Sequence, residues 1–350
     1  MAEGKRVRAL SNNSLSTYLS CPLRFYFQYV AKISPEEEPS EFISTVALGD
    51  IVHNTMERLY LPDRYDREVF LNPPHRLTEQ FFKNLLVKGS HTIDRAVEYS
   101  IHTDWLGHSS KNGKFDDLTG EPALQCGFIE DMIRGIVKLD NRFSTLDLLG
   151  CEIKAIVPFP IGDGREVTFE MHIDRMDYVE GGKLPAVKKG QPPVPAQRFR
   201  IVDYKTGDVR KSLVAETIDD LLSCAHGTKY FYQLMLYATL CRHDPQLKNI
   251  PDFQPVIYDV QASGMEYPEL GKETVYSVHQ KLPESEAEAA SEAAGMTGGS
   301  PSLIEVFEQG VRRSVEELLD PDIPFTQTSD IGNCTYCPFA AICHRAVPKT

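Results

Sequence analysis

The sequence lacks several features that would assign the chain to a familiar class. No apolar run approaches the ~18 residues of a membrane-spanning helix. The N-terminal octapeptide Met-Ala-Glu-Gly-Lys-Arg-Val-Arg has no apolar stretch of the kind found in secretory signals. There is no Gly-x-x-x-x-Gly-Lys-Ser/Thr loop, which excludes an ATP motor of that type, and there are no internal repeats. We therefore expect a cytoplasmic protein with no membrane association.

Basic residues are also scarce. The chain has 37 lysines and arginines against 50 aspartates and glutamates, a formal net charge of −13 at pH 7. Because phosphates are bound by lysine and arginine, this balance counts against a protein that coats nucleic acid. It leaves room for an enzyme with a locally basic groove, since much of the acid is concentrated in Glu36–Glu38 and in 284–292. The candidates for lining such a groove are Arg24, Arg175, Lys229 and the pair Lys188-Lys189.

The length of 350 residues and the hydrophobic content of 41% permit one large domain with a sizeable core. We predict a single α/β domain over residues 1–350, with a helical insertion over 61–145. The acidic, low-complexity segment 282–302 is predicted to be a disordered loop. The other predicted helices are 11–32 (with a break near Pro22), 42–60, 228–243 and 302–319. The predicted strands are 152–159, 166–179, 198–205, 254–262 and 273–281.

The stretch from Arg200 to Gly207 carries the most chemical information. Its apolar, β-branched residues lead into a Thr-Gly turn, which is typical of a buried strand and its end. Side chains alternate along a strand, so Asp203 and Lys205 point the same way. A carboxylate beside an ammonium is costly to bury without a partner or a task. Holding a divalent cation and positioning an attacking water is such a task, and a surface ion pair is the alternative.

Four further residues accompany this pair along the chain. His53 lies on a predicted helix four residues after Gly49, which gives the backbone room for close approach, and Asp174 ends an alternating strand. Gln233 and Tyr237 are four residues apart on a predicted helix and therefore share a face. Each has a structural explanation when taken alone: a hydrogen-bonded histidine, a strand-end cap or a packed helical pair.

Taken in order, these segments match a family pattern. Gly49-x-x-x-His53, Ile173-Asp174-Arg175, Val202-Asp203-Tyr204-Lys205-Thr206-Gly207 and Tyr232-Gln233-Leu234-x-x-Tyr237 resemble the motifs of the RecB-like branch of the PD-(D/E)XK nucleases. The resemblance implies a restriction-endonuclease-like core, a central mixed sheet flanked by helices, and metal-assisted phosphodiester hydrolysis. The implied ligands of Mg²⁺ or Mn²⁺ are His53, Asp174, Asp203 and the backbone carbonyl of Tyr204. The implied catalytic residues are Asp174, Asp203, Lys205, Gln233 and Tyr237.

The cysteines suggest a second metal site. Eight cysteines in a chain expected to be cytosolic indicate metal binding or catalysis rather than disulfides. Cys126, Cys151, Cys224 and Cys241 lie in apolar surroundings and are predicted to be core residues. Cys334, Cys337 and Cys343 crowd the tail 334–343 and lack a fourth ligand, for which Cys21 is the candidate. Four thiolates accept either zinc or an iron–sulfur cluster, and the spacing alone does not distinguish them.

A second resemblance bears on that choice. AddB-type helicase–nucleases carry one cysteine before the nuclease motifs and three after them, on a 4Fe-4S cluster, and the sequence around Cys21 is similar to theirs. The resemblance thus implies a cluster that joins the two ends of the chain. Closing so long a loop has a stabilising potential on the order of 4–5 kcal/mol, which indicates a structural role. The alternative is a zinc ion held by the three tail cysteines and His344.

The function implied by these resemblances is a DNA exonuclease. It would act on single-stranded ends in double-strand-break repair and recombination, as part or relative of an AddB-type helicase–nuclease with a helicase partner. CRISPR-associated adaptation nucleases share the motifs and the cysteine pattern, although they are usually shorter. A non-catalytic scaffold that binds DNA ends is the alternative from another class, and the presence of every acid and of the lysine argues against it.

Overall fold

The computed structural model describes residues 9–33, 43–61, 68–110, 115–181, 197–207, 209, 218–224, 228–250, 253–263, 275–277 and 303–345. The predictions made for Glu36–Glu38, for Lys188-Lys189 and for the acidic loop 282–302 lie outside these residues.

The described residues form a seven-stranded mixed sheet at the centre of the molecule. Its strands run in the order β2-β3-β4-β5-β6-β7, and β1 pairs with β4. The β5–β6 and β1–β4 pairs are parallel and the remaining pairs antiparallel, which confirms the predicted mixed sheet. The strands are β1 (Leu10–Ser11), β2 (His75–Leu77), β3 (Thr145–Pro160), β4 (Glu166–Glu180), β5 (Gln197–Lys205), β6 (Phe253–Asp259) and β7 (Val275–Ser277).

Helices cover both faces of this sheet. The break predicted near Pro22 is present, because the first helix ends at Ser20 and a second begins at Pro22. Ser11 caps the first helix in a reciprocal pair of hydrogen bonds with Ser14. The helices are α1 (Asn12–Ser20), α2 (Pro22–Phe25), α3 (Thr45–Tyr60), α4 (Glu79–Leu86), α5 (Thr92–Ser100), α6 (Glu121–Asp140), α7 (Ile218–Leu222), α8 (Lys229–Cys241), α9 (Val260–Ser263) and α10 (Leu303–Leu319).

Two hydrophobic cores lie on opposite faces of the sheet. Consecutive residues of β5 illustrate the division, since Ile201 belongs to one core and Val202 to the other. Helices α1, α8 and α10 bury the first core, and α3 to α6 bury the second. The segment 61–145 thus supplies helices to the second core and also the short strand β2, which pairs with β3. Its status as an insertion stays a prediction. No helix of the described chain is long and apolar enough to cross a membrane.

The β3–β4 hairpin departs from regular alternation around Asp174, and its pairing register also shifts between Leu148 and Gly150. Met171 and Ile173 face the first core, and so do Met176 and Tyr178, so the pattern slips between Ile173 and Met176. The partner strand slips at the same level, where Glu152 has a left-handed backbone with φ of 48°. Because Cys151 pairs with Arg175 and Ile153 with Ile173, Glu152 and Asp174 lie opposite each other at the slip.

Candidate active site

The residues singled out by the sequence converge where β4 and β5 pass between α3 and α8. His53 comes from α3, Asp174 from β4, Asp203 and Lys205 from β5, and Gln233 from α8. Gly49, one helical turn before His53, faces the end of β5, where an added methyl group would lie 3.9 Å from Thr206 Oγ1. That distance is an ordinary contact, so close approach does not require a glycine there.

His53 lies among carboxylates and a carbonyl. Its Nδ1 is 3.2 Å from Glu152 Oε1 and 3.5 Å from Asp174 Oδ1, and its Nε2 is 3.3 Å from the carbonyl oxygen of Tyr204. Burial lowers the pKa of His53, but the charges of Asp174 and Glu152 outweigh that effect and raise it to about 9. The imidazole is therefore protonated at neutral pH unless a cation displaces the proton.

Glu152 is a site residue that the sequence analysis missed. One carboxylate oxygen faces His53, and the other is 2.9 Å from His172 Nε2. Burial raises the pKa of Glu152, but the hydrogen bonds from His172 and His53 lower it to about 2. Glu152 is thus an ionised carboxylate that orients His53.

Asp174 completes a set of potential metal ligands. Its Oδ2 accepts a 2.8 Å hydrogen bond from the backbone N–H of Tyr204. Burial raises its pKa to about 7, with the charges of Asp203 and Glu152 acting in the same direction and that of His53 opposing them. His53, Glu152 and Asp174 present ligand atoms within 4.8 Å of one another, and their side chains are only 22%, 12% and 9% exposed.

This donor set fits a hard divalent cation. Two carboxylates and one imidazole are ligands that Mg²⁺ and Mn²⁺ accept. Burial is the main cause of the raised pKa of Asp174, and the charges of Asp203 and Glu152 add to it, so a bound cation would stabilise the ionised carboxylate.

Asp203 and Lys205 form the second half of the site. Lys205 Nζ lies 2.9 Å from Asp203 Oδ1 and 2.7 Å from Oδ2. The side chain of Lys205 is 17% exposed and that of Asp203 is 4% exposed, so the alternative of a surface ion pair is wrong. Burial lowers the pKa of Lys205, but Asp203 and Asp174 outweigh it and raise the pKa above its ordinary value. The lysine therefore remains charged.

Helix α8 braces this pair. Gln233 Oε1 accepts a 3.2 Å hydrogen bond from Lys205, and Gln233 Nε2 donates a 3.1 Å hydrogen bond to Asp203 Oδ1. The ring of Tyr230 lies 4.9 Å from Lys205 Nζ. Tyr237 is buried, and its hydroxyl lies near Gln233 and the backbone of His172. Its position beneath Gln233 fits bracing of the site rather than direct contact with a substrate.

Arg175 does not line a groove, so that prediction was wrong. The side chain is fully buried and forms hydrogen bonds of 2.7 and 3.0 Å with Asp140. Its Nη1 donates a 2.7 Å hydrogen bond to the hydroxyl of Tyr204, and its Nε is 2.9 Å from Asp177. Asp177 in turn accepts hydrogen bonds of 2.7 Å each from Nε and Nη2 of Arg200. We call Asp140, Arg175, Asp177 and Arg200 the buried charge network; it supports β4 and β5 from the second core.

The four remaining predicted metal ligands line one pocket. Cys21, Cys334, Cys337 and Cys343 all line this pocket, and all four are free thiols. Burial and the charges of the other three cysteines raise the pKa of Cys343. By contrast, Cys126, Cys151, Cys224 and Cys241 are buried in the two cores, as predicted.

Backbone and side-chain contacts hold the two chain ends together at this pocket. Leu23 N–H donates a 2.9 Å hydrogen bond to the carbonyl of Thr326, and the side chain of Asn333 donates one of 3.2 Å to the carbonyl of Ser20. The ring of Phe25 stacks on that of Phe325 at 5.9 Å. Contacts between protein groups alone thus bring the segment around Cys21 next to the segment 334–343.

Comparison with known proteins agrees with the geometry. No curated protein matches the sequence. The sequence profile of the PD-(D/E)XK nuclease superfamily, whose members are nucleases that use divalent metal ions, matches residues 9–344. Because this match covers nearly the whole chain and includes every residue of the site just described, the chain belongs to the PD-(D/E)XK nuclease superfamily.

Proposed function

We propose that the protein is a metal-dependent DNA exonuclease of the RecB-like branch. The observation that carries the proposal is the convergence of His53, Asp174, Asp203 and Lys205, from three separate elements, in one nearly buried cluster. Glu152, the carbonyl of Tyr204 and Gln233 complete it. Membership of a nuclease superfamily supports the same reaction class.

The roles of the residues follow from their contacts. Mg²⁺ or Mn²⁺ held by His53, Asp174, Asp203 and the Tyr204 carbonyl would neutralise the scissile phosphate and lower the pKa of a water molecule. Lys205 remains protonated and is held in place by Asp203 and Gln233, so it can position that water and stabilise charge that develops on the phosphate.

The catalytic assignment is tested by Asp203→Ala and Lys205→Ala on a labelled single-stranded oligonucleotide with Mg²⁺. Both variants should lose cleavage, and circular dichroism establishes that each remains folded, since each removes one member of a largely buried ion pair. Asp147→Ala and Lys83→Ala, which remove members of more exposed ion pairs elsewhere, are the controls and should retain it. Wild-type turnover in either site variant would refute the assignment. DNA binding without cleavage by the wild-type protein would favour the scaffold alternative.

A circular single-stranded substrate separates exonuclease from endonuclease action. An exonuclease leaves the circle intact and degrades the linear form of the same sequence. Cleavage of both forms at similar rates would contradict the exonuclease assignment while leaving the nuclease assignment in place.

We also propose that the four pocket cysteines bind a 4Fe-4S cluster. All four line one pocket, and the charges of Cys337, Cys21 and Cys334 act on Cys343. Four thiolates can bind either a tetrahedral zinc ion or a cubane cluster. The order of one cysteine before the nuclease motifs and three after them, which resembles that of AddB-type helicase–nucleases, supports the cluster over zinc.

Metal analysis tests the cluster. Protein purified without oxygen should be brown and contain close to four irons per chain, and Cys337→Ser should reduce both iron and visible absorbance. Cys241→Ser, at a buried cysteine of the first core, is the matched control and should retain both. Colourless protein with one zinc per chain would establish the alternative.

The proposed cellular role is end processing in double-strand-break repair, together with a helicase of the AddB-type assembly. Pull-down with a candidate helicase, and stimulation of nuclease activity by it, tests that partnership.

A further inference from the structure

The pocket that the four predicted cysteine ligands share is lined by cations as well as by thiols. Arg24 and Arg345 line it, and none of the described residues around it is an aspartate or a glutamate. Four thiolates outweigh the positive charge of a Zn²⁺ ion or of an oxidised 4Fe-4S core, so either centre would be an anion. The charged side chains of the pocket therefore suit the kind of metal centre that its cysteines could bind.

Arg24 differs from the other nitrogen-bearing side chains of this pocket because one of its donors has no partner. Its Nε is buried and has no hydrogen-bond partner among the described residues. By contrast, Gln327, Asn333 and Arg345 each donate a hydrogen bond to a backbone carbonyl. The protein thus provides acceptors for these three side chains and leaves the Nε of Arg24 without one.

A buried guanidinium N–H group is costly to leave without an acceptor. A bound ion is one explanation for such a group in a native structure. Thiolate sulfurs, and the sulfides of a cluster, are acceptors of this kind, and the cysteines line the same pocket as Arg24. Helix α2 begins directly after Cys21 and carries Arg24 three residues further on, so the segment that brings the cysteine to the pocket also brings the arginine.

We infer that Arg24 is a positioning residue for the metal centre of this pocket: its Nε donates a hydrogen bond to a thiolate or sulfide sulfur, and its charge offsets part of the negative charge of the centre. The inference rests on the proposed binding of a metal centre by the four cysteines, and it adds a residue that retains and tunes that centre. It gives Arg24 a task other than the lining of a nucleic-acid groove.

Loss of this arginine has two measurable consequences. Groups that hydrogen-bond to metal ligands contribute about 10–100-fold to metal affinity, so retention of the metal against a chelator should fall by about that factor in Arg24→Gln. Net charge and hydrogen bonds to sulfur also set the reduction potential of a cluster. Because reduction adds negative charge, a nearby cation favours the reduced state, and Arg24→Gln should make the midpoint potential more negative. Arg24→Lys keeps the charge and should lie between Arg24→Gln and the wild type.

The test compares wild-type protein purified without oxygen with Arg24→Gln and Arg24→Lys. Arg313→Gln, at an exposed arginine of α10, is the matched control and should behave as wild type. Metal analysis after incubation with EDTA measures retention of the metal. Titration with dithionite, followed by visible absorbance, measures the midpoint potential, and circular dichroism establishes that each variant is folded.

The outcomes separate the inference from the proposal on which it rests. Wild-type protein with neither iron nor zinc at its cysteines overturns both. Wild-type protein with one zinc overturns the cluster alone, and zinc retention in Arg24→Gln and Arg24→Lys then decides the role of the arginine. Metal retention equal to that of the wild type in folded Arg24→Gln overturns the inference alone. Equal loss of metal in the two variants with an unchanged midpoint also overturns it, because Arg24 would then act only through packing.

Discussion

Replacing Asp140 by asparagine is a sharp test of how the site is supported. Asp140 is fully buried, and its two oxygens accept four hydrogen bonds. Oδ2 accepts from Tyr60 at 2.7 Å and Arg175 Nη1 at 2.7 Å, and Oδ1 accepts from Tyr258 at 2.7 Å and Arg175 Nη2 at 3.0 Å. An asparagine keeps one acceptor and turns the other into an NH₂ group. A tyrosine hydroxyl can rotate to accept from that NH₂, but a guanidinium cannot.

The change also upsets the charge balance of the buried network. Two arginines and two aspartates become two arginines facing Asp177 alone, which leaves one cation without a partner. Removing one member of a buried ion pair costs about 3–5 kcal/mol. The Arg76–Asp147 pair has the same two-pronged geometry, at 2.6 and 2.7 Å, but it is exposed. Asp147→Asn therefore removes the same charge in solvent, where ion pairs contribute little.

Urea unfolding at pH 7 compares the two variants directly. Asp140→Asn should lower the free energy of unfolding by several kcal/mol more than Asp147→Asn, and adding Arg175→Met should recover part of the loss because it removes the unpaired cation. Burial raises the pKa of Asp140, but Arg175 outweighs it and holds the pKa below the ordinary 3.8. The stabilisation is therefore present above pH 3.8 and is lost as the pH falls through the lowered value. Equal losses in the two variants at pH 7 would refute the reasoning.

Three further predictions concern the candidate site. Binding of Mn²⁺ should release protons and tighten as the pH rises from 6 to 9, because the cation must displace protons from Asp174 and His53, whose pKa values are about 7 and about 9; calorimetry in two buffers of different ionisation enthalpy measures the release, and a pH-independent affinity would contradict it. Glu152→Gln should weaken Mn²⁺ binding by about 10–100-fold with the melting temperature maintained, because His53 loses the charge that orients it; an unchanged affinity would show that Glu152 has no part in the metal site. Gly49→Ala should raise the stability by up to about 1 kcal/mol while cleavage is retained, since alanine favours the helix and its methyl group has room; loss of activity would show that the motif glycine has another role.

Local pattern was sufficient to predict the elements that carry the site. The strand predicted at 198–205 is Gln197–Lys205, and the helix predicted at 228–243 is Lys229–Cys241. Alternating and amphipathic side chains specify such segments without reference to the rest of the chain. Strand β2 was missed because three residues are too few to show an alternating pattern of polar and apolar side chains. Only the pairing with β3 makes them a strand.

Arg175 illustrates what local pattern cannot supply. Arg175 directly follows the site residue Asp174. Its position in a strand beside a candidate metal ligand gives no indication of the residue with which it pairs. That partner, Asp140, is the last residue of α6, 35 positions earlier in the chain. Whether a charged residue is buried depends on which oppositely charged residue the fold brings next to it. A single sequence does not reveal that pairing.

Glu152 is a different kind of omission, because the sequence did contain a route to it. Gly162-Asp163-Gly164 separates the predicted strands 152–159 and 166–179, and Phe159 pairs with Val167 across this turn. In an antiparallel hairpin each step back along one strand is a step forward along the other, so the same register places Glu152 opposite Asp174. A carboxylate facing a candidate metal ligand, in the otherwise apolar stretch Leu148–Ile153, is unfavourable to bury without a cation or a proton. The slip in both strands at this level then has a physical explanation, since it turns the two acids toward His53 while the flanking apolar residues remain in their cores.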